Sequence, residues 1–431
     1  MLIKREKYLN DLKIRMNNGL VKVITGIRRC GKSYLLNELF YNFLLESGIN
    51  KNHIIKFAFD SADDLELIGE DLIEIKRQKR KVDPKKFIQY MREKLSGNQD
   101  YYLLLDEVQL LENFESVLNG YLKKSSVDIY VTGSNSKFLS NDIITEFRDR
   151  GDLVHVLPLT FSEFFSVFDG DKYDAWNEYF TYGGLPFVAG LKTDEQKIRY
   201  LQNLFEETYI TDIVERNKIK KSAELENLIN ILASSIGSLT NTSRIQNTFI
   251  SELKSKITVD TINDYVEFLK DSFLINEVNR YDVKGRKYIG AQKKYYFEDC
   301  GLRNARLNFR QNEETHIMES IIYNELRFRG YSVDVGIVEK RGRTEQGKEI
   351  KTQLEIDFIA NKGSERFYIQ SAFSIPDKEK EQQEKNSLLN VKDSFKKIVI
   401  VKDNIKSSRD ESGILTVGLL TFLLDQGSLN I

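Results

Sequence analysis

The sequence predicts an α/β protein whose first third is a parallel sheet wrapped by helices, and three observations carry that reading. Gly26-Ile27-Arg28-Arg29-Cys30-Gly31-Lys32-Ser33 fits G-x-x-x-x-G-K-[ST] and stands between a short apolar strand and a helix-spaced run. Tyr101-Tyr102-Leu103-Leu104-Leu105 is an apolar run that ends on Asp106-Glu107. Further short β-rich runs lie at 21–25, 54–60, 128–133 and 153–157 with helical patterns between them, the alternation of a βαβ chain.

In chain order, Ile3 to Met16 reads as a short amphipathic helix that ends near Asn17-Asn18-Gly19. Val21-Lys22-Val23-Ile24-Thr25 is a buried strand entering the loop. The two loop glycines let the backbone turn tightly, so that its N–H groups can face phosphate oxygens. Lys32 supplies a positive charge for the β- and γ-phosphates, and Ser33 a hydroxyl for Mg²⁺. Leu35, Leu36, Leu39, Phe40, Phe43 and Leu44 then recur at helical spacing, with Gly48 as the stop. Strand, glycine loop and helix in that order put a helix N-terminus beneath the phosphates. They imply ATP binding by Gly26, Ile27, Arg28, Arg29, Cys30, Gly31, Lys32, Ser33 and Tyr34. Cys30, inside the loop, is expected to be a reactive thiol whose alkylation blocks ATP and is blocked by it.

Ile54 to Asp60 is the second strand. Residues 61–99 read as an insertion of two helices, the second starting at Asp83-Pro84. Lys76, Arg77, Lys79, Arg80, Lys81, Lys85 and Lys86 crowd there, either as a solvated helix face or as a contact to nucleic acid or an acidic partner. The run into Asp106 and Glu107 is a buried parallel strand that delivers carboxylates to the sheet edge where ligands bind. Asp106 would hold Mg²⁺, mostly through water, and Glu107 would be the base that polarises the attacking water. Asp128 to Asn135 is another buried strand ending in small polar residues, and Leu153 to Leu157 reads as a fifth. Arg148 or Arg150, between those strands, is a candidate arginine finger acting in cis or from a neighbouring subunit; a plain surface arginine is the equal alternative.

At 431 residues the chain calls for about two to four domains. A formal net charge of −1 provides no global basic field for nucleic acid or membranes, so DNA or RNA contact must come from local patches. Cys30 and Cys300 are the two cysteines, which excludes a disulfide scaffold and a cysteine-rich zinc site. With no apolar signal region and no run of membrane-spanning length, a cytoplasmic location without membrane contact is expected.

Several of these segments resemble one family. Thr25-Gly26-Ile27-Arg28-Arg29, Leu105-Asp106-Glu107-Val108-Gln109, Thr132-Gly133-Ser134, Pro158-Leu159-Thr160-Phe161-Ser162-Glu163-Phe164 and Tyr182-Gly183-Gly184-Leu185-Pro186 are similar to segments of bacterial and archaeal AAA-type P-loop ATPases with a C-terminal domain of unknown function. Tyr209-Ile210-Thr211-Asp212-Ile213, the stretch from Tyr281 to Lys287, Tyr323-Asn324-Glu325-Leu326 and Glu355-Ile356-Asp357-Phe358 extend the resemblance over nearly the whole chain. It implies an ATPase core with sheet order 5-1-4-3-2, a helical or winged-helix middle and a C-terminal α/β domain similar to restriction endonucleases. It also implies a γ-phosphate sensor at Ser134, ahead of Asn135. The family's arginine falls on Arg150, where Asp149-Arg150-Gly151 replaces the usual Gly-Arg order. The expected layout is a P-loop core at 1–165, a helical lid or linker at 166–222, a winged-helix-like module at 223–300 and the endonuclease-like domain at 301–431.

In the middle, 194–218 reads as one long helix, followed by helices centred on Leu228, Ile245 and Tyr265. Strands near 273–281 and 292–298, joined through Lys284-Gly285-Arg286-Lys287, would form a wing. The third helix carries Asp260, Asp264, Glu267 and Asp271 against Lys270 alone, so it repels phosphate and reads as a packing or lid element. Lys284, Arg286, Lys287, Lys293 and Lys294 on the wing remain candidates for non-specific phosphate contact. In the last third, strict alternation puts Glu355 and Asp357 on one strand face and Leu354, Ile356 and Phe358 on the other, while Tyr368, Gln370 and Ala372 share a face. An endonuclease of the resembled fold wants two acids, then Glu/Gln-x-Lys. Glu319, Asp357 and Gln370 take the first places, but Ala372 stands where the lysine belongs, which argues against cleavage.

The expected activity is Mg²⁺-dependent ATP hydrolysis that repositions the C-terminal domains. The alternatives are a nucleotide-gated binding module with little turnover and a nucleic-acid-binding or nuclease-related protein. A homo-oligomer is open, and no motif names a protein partner.

Overall fold

The computed structural model of the chain describes residues 3–97, 99–133, 150–310, 313–343 and 349–430. Ser134, Asn135 and Arg148 lie outside the described residues. The chain divides into two compact units: residues up to Pro158 with Asp271–Phe273, and Leu159–Lys270 with the chain from Leu274 onward.

Among the described residues, the first unit holds five strands: β1 (Val21–Thr25), β2 (Ile54–Ala58), β3 (Tyr101–Asp106), β4 (Val127–Thr132) and β5 (Gly151–His155). They pair in the order β2-β3-β4-β1-β5, every pair parallel. Numbered along the chain this is 5-1-4-3-2, the order the resemblance implied. Every residue of β1, β3 and β4 is buried, because a parallel sheet is covered on both faces and its strands read as continuous apolar runs. Lys22 is tolerated in β1 because its ammonium pairs with Asp128, which also accepts from the Tyr130 hydroxyl (2.8 Å) and the Asn17 N–H (3.0 Å). A buried charge so compensated persists where an isolated one would not.

The insertion after β2 contains three helices, Ala62–Leu67, Leu72–Gln78 and Pro84–Lys94, where the sequence suggested two. The first two are too short for periodicity to separate them, but each has its own cap, Ser61 and Asp71. Pro84 opens the third under an Asp83 cap, as expected. Glu70 takes up part of the basic crowd, binding Arg80 at 2.5 Å and Lys86 at 3.5 Å.

In the second unit, the run expected as one helix over 194–218 is continuous but contains a π segment, Leu204–Ile210, between Asp194–Asn203 and Thr211–Arg216. Helices Ser222–Ser234, Thr242–Ser251 and Val259–Asp271 precede the hairpin of β6 (Ile275–Asp282) and β7 (Lys287–Phe297). That hairpin does not end a module near residue 300. β6 pairs in parallel with β8 (Ser332–Arg343) through Arg280↔Val335, so the hairpin extends the C-terminal sheet. The remaining strands are β9 (Glu349–Lys362), β10 (Glu365–Ala372), β11 (Lys396–Val401), β12 (Ser408–Arg409) and β13 (Leu415–Gly418). The order is β12-β13-β11-β10-β9-β8-β6-β7.

Two of the motifs that carried the resemblance hold this unit together. Thr160 and Glu163 form a capping box on Phe161–Phe165, and the Leu159 N–H donates to the Gly184 carbonyl at 2.7 Å. The Gly184 N–H in turn donates to the buried Asp299 (2.8 Å), whose carboxyl burial pushes up to about 6.

Candidate functional site

The loop after β1 is closed by residues that only particular backbones allow. Gly26 takes φ +141° and Gly31 φ +101°, and a Cβ on Gly26 would run into the Val156 carbonyl oxygen. Lys32 begins a helical run that continues as a π segment, Leu35–Phe40, and then Tyr41–Glu46. Its ammonium is buried and folds back on its own loop, donating to the carbonyls of Gly26 (2.9 Å) and Ile27 (3.0 Å). Ile27 is buried, Arg28 half-buried, Arg29 and Ser33 exposed. Burial, with the Glu38 charge behind it, raises the Tyr34 phenol. Cys30 departs from its expected reactivity: its side chain is 0% exposed, so an alkylating reagent in solvent has no approach to the thiol in this fold.

Asp106, at the C-terminal end of β3, is buried and accepts from two side chains, the Thr132 hydroxyl at the end of β4 and the Asn37 amide (3.1 Å) in the π segment. The same Thr132 oxygen accepts the Glu107 N–H at 3.1 Å. Glu107 is held at φ +50°, a conformation a non-glycine residue adopts only when its surroundings over-determine it, and Gln109 donates to its carboxylate. Asp60, two residues past β2, has its carboxyl raised by partial burial and then by the Asp106 charge. Strand ends β2, β3 and β4 therefore bring acids and one hydroxyl to the same sheet edge as the loop after β1.

Asn37, Thr132, Gln109 and Asp60 were not read as site residues. Asp60 had a signal, since it ends an apolar run as Asp106 does. Asn37 had none, because a π turn shifts the register of side chains and no periodicity announces it.

The oxygen donors Ser33 and Asp106 suit Mg²⁺, a hard cation that takes one or two protein ligands and fills the rest with water and phosphate. Among the described residues, no group of three or more His, Cys, Asp or Glu side chains is arranged to hold a metal.

Arg150 does not join this site within one chain. It is exposed, and its carbonyl accepts from Val21, the first residue of β1, at 2.8 Å. It thus lies at the opposite sheet edge, about 15 Å from the loop along a five-residue strand, farther than an arginine side chain spans.

The second acid cluster differs from its expected form. Lys294 of β7, 2% exposed, binds Glu319 and Glu355 at 2.7 Å each and lies 3.7 Å from Asp357. The ammonium missing at Ala372 therefore arrives from another strand. Burial lowers its pKa, but Glu319, Asp357 and Glu355 outweigh that and raise it. Gln370 is not in the network; its side-chain oxygen accepts from Ser387 at 3.3 Å. Glu355 and Asp357 share a face of β9 as expected, both beside Lys294, but the alternation breaks at Phe358. Asp334 pairs with Ile359 but Gly336 with Ile356, so Asp357 and Phe358 form a bulge, and Ile356 and Ile359 share one apolar cluster. On the wing, Lys293 pairs with Glu277 (2.6 Å) and Lys294 is buried, which withdraws both from phosphate contact.

Comparison with known proteins gives five matches. Residues 18–165 match a family model described as an AAA domain, and residues 173–313 one described as a domain of unknown function (DUF8612). A Haemophilus influenzae protein, described only as uncharacterized, is 33% identical over 405 residues, covering 93% of each chain. An uncharacterized Methanocaldococcus jannaschii protein is 27% identical over 395 residues, 89% of this chain and 81% of that one. Among solved structures, the Aeropyrum pernix ORC1 protein in complex with DNA is 13% identical and covers 71% of this chain and 92% of its own, at a TM-score of 0.30. That score is too low to argue from. No helix among the described residues is long and apolar enough to cross a membrane.

Proposed function

This chain belongs to the family of the Haemophilus influenzae protein, with an AAA domain at residues 18–165, and from that premise we propose that it binds and hydrolyses ATP. The observation that supports the reading is the convergence of Lys32, Asp106, Glu107 and Thr132 at one edge of the sheet. The γ-phosphate would draw Lys32 off the Gly26 and Ile27 carbonyls. Ser33 and Asp106 would hold Mg²⁺, which neutralises charge developing on the phosphates when bound. Glu107 would take a proton from water as its oxygen attacks the γ-phosphorus and the bond to the bridging oxygen of ADP breaks. Ser134 is our assignment for the γ-phosphate sensor.

Glu107→Gln tests the division of labour. It is expected to keep ATP binding while lowering turnover about a hundredfold or more. Because the chain forms two compact units, we also read the nucleotide state as repositioning the C-terminal half. The ATP-trapped Glu107→Gln protein should then differ from the ADP form in small-angle scattering, and identical profiles would rule that part out. Unchanged turnover in Glu107→Gln would remove the base assignment, and tight binding without turnover in the wild type would favour a nucleotide-gated module instead.

Given the position of Arg150, we read its finger role as possible only toward the nucleotide of a neighbouring copy. Turnover per chain should then rise with protein concentration and lose that rise in Arg150→Ala; a rise that survives the substitution would reject the role. Cleavage of nucleic acid is not part of this reading, because Lys294 already occupies the carboxylates that a divalent cation would need.

A further inference from the structure

The C-terminal unit carries a cavity of about 750 Å³ beside the turn between β6 and β7, in the size range of ligand sites. Lys284 and Arg286 line it on the turn, and Lys392 lines it from the loop before β11. Its aromatic part is Tyr281 and Phe395, with the Arg366 guanidinium 5.7 Å from the first ring centre and 5.2 Å from the second. The cavity's acids are already engaged. Asp393 accepts from the Tyr368 hydroxyl (2.6 Å) and the Phe395 N–H (3.2 Å), and Glu339 pairs with Lys351 at 3.5 Å. Among the described residues, Lys284, Arg286 and Lys392 have no ion-pair partner.

Three exposed cations around a cavity, without ion-pair partners among the described residues, suit an anion of more than one charge, and a carboxylate-rich peptide would meet that requirement alone. It would leave unexplained the exposed Phe395 ring, 40% accessible, lying against a planar cation. A nucleotide strand uses both features, because every base has a flat π-face and every link a phosphate. A duplex hides those faces in its own stack. We infer that this cavity binds single-stranded nucleic acid, one base stacking on Phe395 and Arg366 while flanking phosphates meet Lys284, Arg286 and Lys392. The site shares no residue with the ATP site, so it stands or falls apart from hydrolysis.

The test is fluorescence anisotropy of a labelled single-stranded oligonucleotide of about a dozen nucleotides, titrated at two salt concentrations. The full chain carries Lys32→Ala, so that the ATP site does not contribute. Phe395→Ala, in protein shown by its thermal melt to remain folded, should weaken binding about five- to a hundredfold. Lys392→Ala and Lys284→Ala should each lower the slope of log affinity on log salt by about 0.7. A duplex of the same sequence should bind more weakly. The proposal is overturned by absent binding, by affinity unchanged in both Phe395→Ala and Lys392→Ala, by full competition from a free mononucleotide, or by a polyglutamate peptide that binds as tightly as the oligonucleotide.

Discussion

Lys32→Ala is expected to weaken ATP binding by about thirty- to a thousandfold, read by calorimetric titration with a non-hydrolysable analogue. The lysine makes two bonds to its own loop, so its ammonium is already desolvated beside the loop before the nucleotide enters, and it exchanges the two carbonyls for phosphate oxygens. Charge-assisted bonds to phosphate in such a place contribute about 2–4 kcal/mol together, which is the stated range in affinity. Lys32→Arg is expected to fail as well, since the planar guanidinium is no substitute for a compact ammonium in a closed loop. Both substitutions should leave the sheet intact, because β1 is held by its pairing with β4 and β5 and by Lys22 with Asp128. Affinity equal to wild type in Lys32→Ala would remove the loop from the account.

The second large effect lies in the other unit. Lys294→Met should destabilise it by about 3–5 kcal/mol, a fall on the order of 10 °C in melting temperature, because Glu319 and Glu355 lose their shared counter-ion while Glu319 stays buried. Adding Glu319→Gln and Glu355→Gln should restore part of the loss. The network also sets a pH dependence. Burial, with the Glu319 charge behind it, holds the Asp357 carboxyl up to about 8, above the ordinary value of 3.8. A carboxyl raised on folding binds more proton in the folded state, so its contribution is complete below about pH 4 and is lost as the pH rises toward 8. The wild-type unit should therefore lose stability between pH 5 and 8, and Asp357→Asn should flatten that slope. A Lys294→Met melt that matches wild type would show the carboxylates to be satisfied without the ammonium.

How much of this could be read in advance depends on how local the causes are. The loop residues, Lys32, Asp106 and Glu107 stand in contiguous motifs, and β1, β3 and β4 show as apolar runs because both sheet faces are covered. The sheet order came from resemblance, since pairing of β4 between β1 and β3 leaves no mark on periodicity. Thr132 and Asn37 meet Asp106 across 26 and 69 residues of chain, and nothing local predicts either contact. Lys294 is the clearest case. The sequence places it with Lys284, Arg286, Lys287 and Lys293 on a wing, as a candidate for phosphate contact, whereas the hairpin's parallel pairing with β8 makes β7 part of the C-terminal sheet, where Lys294 meets three acids. The bulge at Asp357 and Phe358 likewise interrupts the two-residue alternation on which the reading of Leu354 to Phe358 rests.

The central claim is that the edge formed by the loop after β1 and the ends of β3 and β4 turns over ATP. Phosphate release by the purified full chain with ATP and Mg²⁺, run beside Lys32→Ala and Glu107→Gln, tests it most directly. Steady release by the wild type, lost in both variants, is the predicted result. Release that persists at the wild-type rate in Lys32→Ala would contradict it.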